Sequence, residues 1–170
     1  MGKIMKRALG IFLMILCPAV LLCACGNREK GDTITNRNIP LTDITDFYYT
    51  YENINYNAFF QRYRFYVEDG KYLFHHETRE RPDDYGWTTE EDITAAGTFE
   101  LTEEEWKNAF SFMKNGTVRE REESAETGDS GPWMYIYWKN DKGKYQEFHF
   151  ESWEKQKEFE SFCERLRDEK

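Results

Sequence analysis

Between Gln61 and Glu68 the large apolar residues fall on every second position, with Tyr63, Phe65 and Val67 alternating with Arg62, Arg64 and Tyr66. Successive side chains of a strand point to opposite faces, so this period of two predicts a strand with one face turned to a core. Glu68-Asp69-Gly70-Lys71 then supplies an Asp-Gly turn, and Lys71 to Thr78 returns as a partner strand. A two-stranded hairpin is at best marginally stable alone in water, so the rest of the chain must bring further strands and a cover.

Both are present in the sequence. Further strands are predicted within Ile44 to Tyr51, around Gly97 to Leu101, and over Trp133 to Trp138 and Lys144 to Phe150, the last two joined by Asn140-Asp141-Lys142-Gly143. A helix starts after Thr102, where Glu105 three residues on completes a capping box and Glu103 and Glu104 suit the positive end of the helix dipole. Trp106, Ala109, Phe110 and Met113 give it one apolar face, and Asn115-Gly116 is its expected stop. A second helix, from the N-cap Ser152 to about Arg167, aligns Phe159, Phe162, Cys163 and Leu166. Arg79 to Ala96 reads as irregular and charged, with Tyr85, Trp87 and Ile93 as its large side chains able to pack, and Val118 to Pro132 reads as a polar loop. The expected architecture is α+β: a single antiparallel sheet of five to six strands with two helices on one face, in the order β-β-β-β-α-β-β-α, filling residues 43–170.

The first 24 residues are of a different kind. Lys3, Lys6 and Arg7 precede an uncharged apolar run from Ala8 to Ala24 that contains Gly10 and Pro18. This is the pattern of a cleaved export signal, and 17 residues fall short of the roughly 20 that a membrane-spanning helix needs. The run ends in Leu22-Cys23-Ala24-Cys25-Gly26, which resembles the lipobox of bacterial lipoproteins, with Cys23, itself small, standing where Ala, Ser or Thr is usual. The resemblance implies that the Cys25 thiol is lipidated, that the signal is cut just before it, and that the protein stays on the outer face of the cytoplasmic membrane. Two acyl chains suffice for lasting attachment where one is marginal. Residues 25–42 then form the lipidated cysteine and a polar tether, which if flexible spans about 23 Å. In its leader, tether and mixed strand-helix pattern the chain resembles small surface lipoproteins of low-GC Gram-positive bacteria, a likeness that carries no activity to any residue beyond Cys25.

Once the signal is removed the chain holds 20 basic and 32 acidic residues, a net charge of −12. Nucleic acid is excluded as an expected partner because its recognition relies on a basic footprint. The same charge disfavours contact with anionic lipid, so the membrane enters only through the lipid on Cys25. Cys163 is the one cysteine left in the folded part, which rules out an internal disulfide and places the whole burden of stability on burial.

Motifs of catalysis are weak. Gly128-Asp129-Ser130-Gly131-Pro132 looks like the nucleophile segment of trypsin-like serine proteases, but the glycine pattern is incomplete and no histidine context accompanies it. A serine without a histidine base and a buried acid is not activated. His75, His76 and His149 are the only histidines and all fall in predicted strands, where His75 and His76 must point to opposite faces. They are weak metal candidates, and no metal or other cofactor is expected. Cys163, on an apolar helix stripe, reads as core.

The strand from Trp133 to Trp138 is apolar on both faces, Met134, Ile136 and Trp138 on one and Trp133, Tyr135 and Tyr137 on the other. One set meets the helices. The other, if left uncovered, is a candidate binding surface of rings with polar edges. The first functional expectation is therefore a non-catalytic module that binds an envelope glycan, peptide or protein through Trp133, Tyr135 and Tyr137. The alternatives are a metal-assisted hydrolase built on a histidine and nearby carboxylates, and an inhibitor or immunity-type protein using the same surface.

Overall fold

The computed structural model describes residues 33–34, 39–114, 117–121, 132–138 and 146–170. The expected export signal, Cys25, residues 128–131 around Ser130 and the expected 140–143 turn lie outside the described residues. In chain order the elements are β1 (Thr33–Ile34), β2 (Ile39–Pro40), β3 (Ile44–Asn53), β4 (Ala58–Glu68), β5 (Lys71–Arg81), β6 (Ile93–Leu101), α1 (Glu103–Ser111), β7 (Val118–Glu120), β8 (Trp133–Trp138), β9 (Gln146–Phe150) and α2 (Trp153–Glu169). β1 and β2 pair with each other, and the other seven strands form one antiparallel sheet in the order β6-β5-β4-β3-β8-β9-β7.

The hairpin that organises the sheet is β4–β5. Asp69 and Gly70 take the left-handed backbone, with φ of +50° and +76°, so that Glu68 faces Lys71 and every later pair is in register down to Ala58 opposite Arg81. Two left-handed residues give the turn the same twist as the strands it joins. Alternation then puts Tyr63, Phe65, Phe74, Phe47, Tyr49, Met134, Ile136 and Phe148 on one face, all nearly inaccessible to solvent.

Both described α-helices cover that face. Thr102 and Glu105 exchange the capping-box bonds, Glu105 N–H to Thr102 Oγ1 at 3.1 Å and Thr102 N–H to Glu105 Oε2 at 2.7 Å. α1 thereby presents Trp106, Ala109 and Phe110 to Phe47 and Tyr72. α2 sets Phe159 edge-on to Tyr49 and Phe162 parallel to Phe65, with Cys163 and Leu166 buried behind them. The Tyr49 hydroxyl also donates to Glu160 of α2, a polar tie across an otherwise apolar seam.

The structure departs from expectation in four places, and its element order is not the expected β-β-β-β-α-β-β-α. It has seven strands, because β7 forms inside the segment read as a polar loop. β7 is an edge strand with one core residue, Val118, so its short sequence carries no alternation to detect. β5 and β6 run on through Arg81 and back to Ile93, within the stretch read as irregular. β6 is the opposite edge and is largely exposed, so polar side chains there conflict with nothing. Finally, part of the expected tether is ordered: β1 pairs with β2, and Ile39 enters the core. α1 also stops at Ser111, short of Asn115, where the Thr117 hydroxyl donates to the Phe112 and Lys114 carbonyls and Met113 turns into the core.

Candidate binding face

The second face of the sheet carries the residues that alternate with the core. One row crosses six strands as Thr98, His75, Arg64, Tyr48, Tyr135 and Glu147, and the next places Glu77, Arg62, Thr50 and Trp133 side by side. Among the described residues, both α-helices lie on the opposite side.

These side chains are organised by stacking. The Tyr135 and Tyr48 rings lie 4.6 Å apart and within 17° of parallel. Arg62 continues the stack, its guanidinium 5.4 Å from the Tyr48 ring and 5.1 Å from that of Phe60. Arg79 joins it, 5.0 Å from the Phe60 ring and held by Glu77 through a 2.6 Å bond from Nε to Oε1. Five side chains from four strands thus form one column of alternating rings and cations. Cross-strand aromatic pairs and cations over rings each stabilise by about 0.5–1 kcal/mol, so the column fixes rotamers that isolated surface side chains would leave mobile.

Two further groups flank it. Arg64 makes a paired bond to Asp46, at 3.0 Å from Nε and 2.6 Å from Nη2, while lying 4.5 Å over Tyr66. Arg121 sits 4.2 Å over Trp133 and reaches Glu147 at 3.0 Å. Arg62 differs from its neighbours: no carboxylate lies within ion-pair reach of it among the described residues, and its Nε is buried without a hydrogen-bond partner. Burial pushes the Tyr48 hydroxyl up, Arg62 opposing, and pushes Tyr135 up with Glu147 adding to it, so both are neutral donors at physiological pH.

Trp133, Tyr135 and Tyr137 all belong to this face and are partly exposed. The platform is not the flat one expected of free rings. β8 is an interior strand, so Tyr135 meets Tyr48 of β3 and its ring is stacked. The sequence signal for Arg62 and Arg64 was present in the alternation of β4. Phe60 and Arg79 were missed because both strands run beyond their predicted ends.

The histidines are separated. His75 lies on the open face, its Nδ1 2.9 Å from Thr98 Oγ1 and its Nε2 3.9 Å from Glu77, whose closer partner is Arg79. His76 is buried on the helix side, stacked on Phe99 with Nδ1 unpartnered. His149, beside Trp133, stands four strands from His75, roughly 19 Å at the usual strand spacing. No two imidazoles share a metal-sized site, and among the described residues no cluster of three ligating side chains occurs. Among the described residues, then, no ligand set for a metal-assisted hydrolase is assembled. Cys163 is fully buried and its thiol is pushed well up by that burial, which makes it core and not a nucleophile.

No known family model matches the chain, and no curated protein or solved structure was found to be similar to it.

Proposed function

We propose that the chain is a lipoprotein held by a lipidated Cys25 on the outer face of the cytoplasmic membrane, where its open sheet face binds a protein partner without catalysis. The supporting observation is the column Tyr135–Tyr48–Arg62–Phe60–Arg79. Tyr, Trp and Arg are the residue types most enriched where protein interfaces concentrate their energy, and here they are ordered before any partner arrives. Because the ring faces are taken up by their neighbours, the surface offers hydroxyls, ring edges and guanidinium rims, which suit a protein partner better than a sugar ring. With no carboxylate within ion-pair reach among the described residues, Arg62 suits a partner that brings one.

Two experiments test the reading in the native host. Radiolabelled palmitate should enter the wild type and not a Cys25→Ala variant; an unlabelled wild type removes the anchor. A photo-crosslinking amino acid at Tyr137 should yield a defined protein adduct that Arg62→Ala weakens. Adducts that are absent, or indifferent to Arg62, defeat the binding assignment.

A further inference from the structure

Two loops at one end of the sheet, 54–57 between β3 and β4 and 82–89 after β5, are bonded to each other. Gly86 N–H donates to the Ile54 carbonyl at 2.9 Å, Asp83 N–H to Asn57 Oδ1 at 3.0 Å, and the Tyr56 hydroxyl to Asp83 Oδ1 at 2.6 Å. Asn57, Asp83 and Gly86 take φ of +59°, +61° and +100°, left-handed turn conformations that suit these residue types. Arg81 fastens the second loop from below, donating to the Trp87 carbonyl at 3.0 Å and pairing with Asp84.

This fixed scaffold leaves its aromatic residues outside. Tyr85 and Trp87 are each 66% exposed and Tyr56 is 48% exposed. Tyr85 and Tyr56 touch at a tilt, 5.2 Å between centroids, whereas among the described residues no ring or cation lies on Trp87. On the open sheet face the rings are stacked internally; here a ring face is free. Trp153 on α2 is equally exposed, but Lys157 lies 5.8 Å over its ring.

We infer that this tip is a binding site for a neutral glycan, with Trp87 as the stacking platform and Asp83 and Asn57 as the polar contacts. The C–H face of a pyranose is apolar and matches an open indole, while its rim of hydroxyls needs donors and acceptors together. Asp83 Oδ2 and Asn57 Nδ2 supply one of each, for neither has a stronger partner: Asp83 bonds Tyr56 through its other oxygen, and Asn57 bonds Asp83 through its carbonyl oxygen. Local charge selects against other occupants. The cation at the tip, Arg81, is paired to Asp84 and lies 3.9 Å from Asp92, so a phosphate, a uronate or an anionic lipid headgroup finds carboxylates and no available cation. The site is separate from the proposed protein-binding face, and either can fail without the other.

The full-length lipoprotein, in detergent micelles, should be titrated calorimetrically with tetramers of N-acetylglucosamine, glucose, mannose and galactose. At least one should bind, with Trp87→Ala weakening it by about tenfold or more and Trp87→Phe largely restoring it. Trp87 is exposed, so the variant keeps its fold and circular dichroism verifies this. Binding by none of the four, or binding indifferent to Trp87→Ala, overturns the assignment. In vesicles containing brominated phosphatidylcholine, wild type and Trp87→Phe should show the same tryptophan quenching; extra quenching from Trp87 would put the tip in lipid and also overturn it.

Discussion

The two faces of the seven-stranded sheet come from the same strands and the same alternation, yet they are built by different physics. On the helix side Phe47, Phe65, Phe74, Met134, Ile136 and Phe148 have no solvent contact, and their contribution is area removed from water. On the other side Tyr48, Arg62 and Arg79 retain partial exposure around a buried Phe60, and the group is ordered by stacking and charge-assisted bonds. The first kind of packing is needed for any fold of this class. The second adds less to stability, and aromatic rings and arginines at positions where threonine or lysine would serve a bare sheet surface support the contact role proposed above.

The largest effect should come from breaking the covered face. Phe47→Ala, which empties a site ringed by Phe65, Trp106 and Phe110, is expected to lower the unfolding free energy by about 3–5 kcal/mol in urea titration. A loss below about 1 kcal/mol would mean that the helices do not hold this side. Overfilling the same face at its edge should come next. A methyl at Gly97 would lie 2.9 Å from His76 Nε2 and 3.0 Å from the Phe99 ring, so Gly97→Ala should destabilise by about 1–3 kcal/mol, and His76→Ala in the same chain should recover part of that.

On the open face the expected loss is smaller. Tyr135→Ala removes one stacked pair and should cost about 1 kcal/mol, well under Phe47→Ala, while abolishing the crosslink at Tyr137. Acid exposes a further contrast between the two sides. Burial, helped by Arg167 and His75 and opposed by Asp168, draws the His76 pKa below its ordinary 6.5. The folded state therefore resists protonation: this contribution is complete above about pH 6.5 and is lost as the pH falls through the lowered value. Urea midpoints at pH 8 and pH 5 should differ more in the wild type than in His76→Gln, and equal differences would show that the imidazole plays no part. The smallest effect belongs to the tip, where Trp87→Ala should leave stability within about 0.5 kcal/mol.

How much of this the sequence disclosed depended on whether a signal was local. The alternation of Tyr63 and Phe65, the Asp69-Gly70 turn and the Thr102–Glu105 box are each decided by neighbours in sequence, and they appear in the structure where expected, whereas Val67, read as part of the same stripe, is exposed beside the turn. β7 is decided by β9, about thirty positions further along the chain, and one buried valine gives no pattern to see. The open face was half legible. Trp133, Tyr135 and Tyr137 stood out as a second apolar stripe, but the partner of Tyr135 is Tyr48, on a strand more than eighty residues away, so stacking was invisible. Tyr85 and Trp87 misled for the same reason: a large ring in a loop is equally consistent with packing inward, and only the bonds between the two loops turn these outward.

The central claim is that one face holds the fold together and the other is for contact. A Tyr48→Ala/Tyr135→Ala double variant tests it most directly when unfolding free energy and the Tyr137 crosslink are measured on the same protein. The expected result is a stability loss of no more than about 2 kcal/mol with the crosslink gone. A crosslink that survives, or a stability loss as large as that of Phe47→Ala, would show that the two faces do not divide the work in this way.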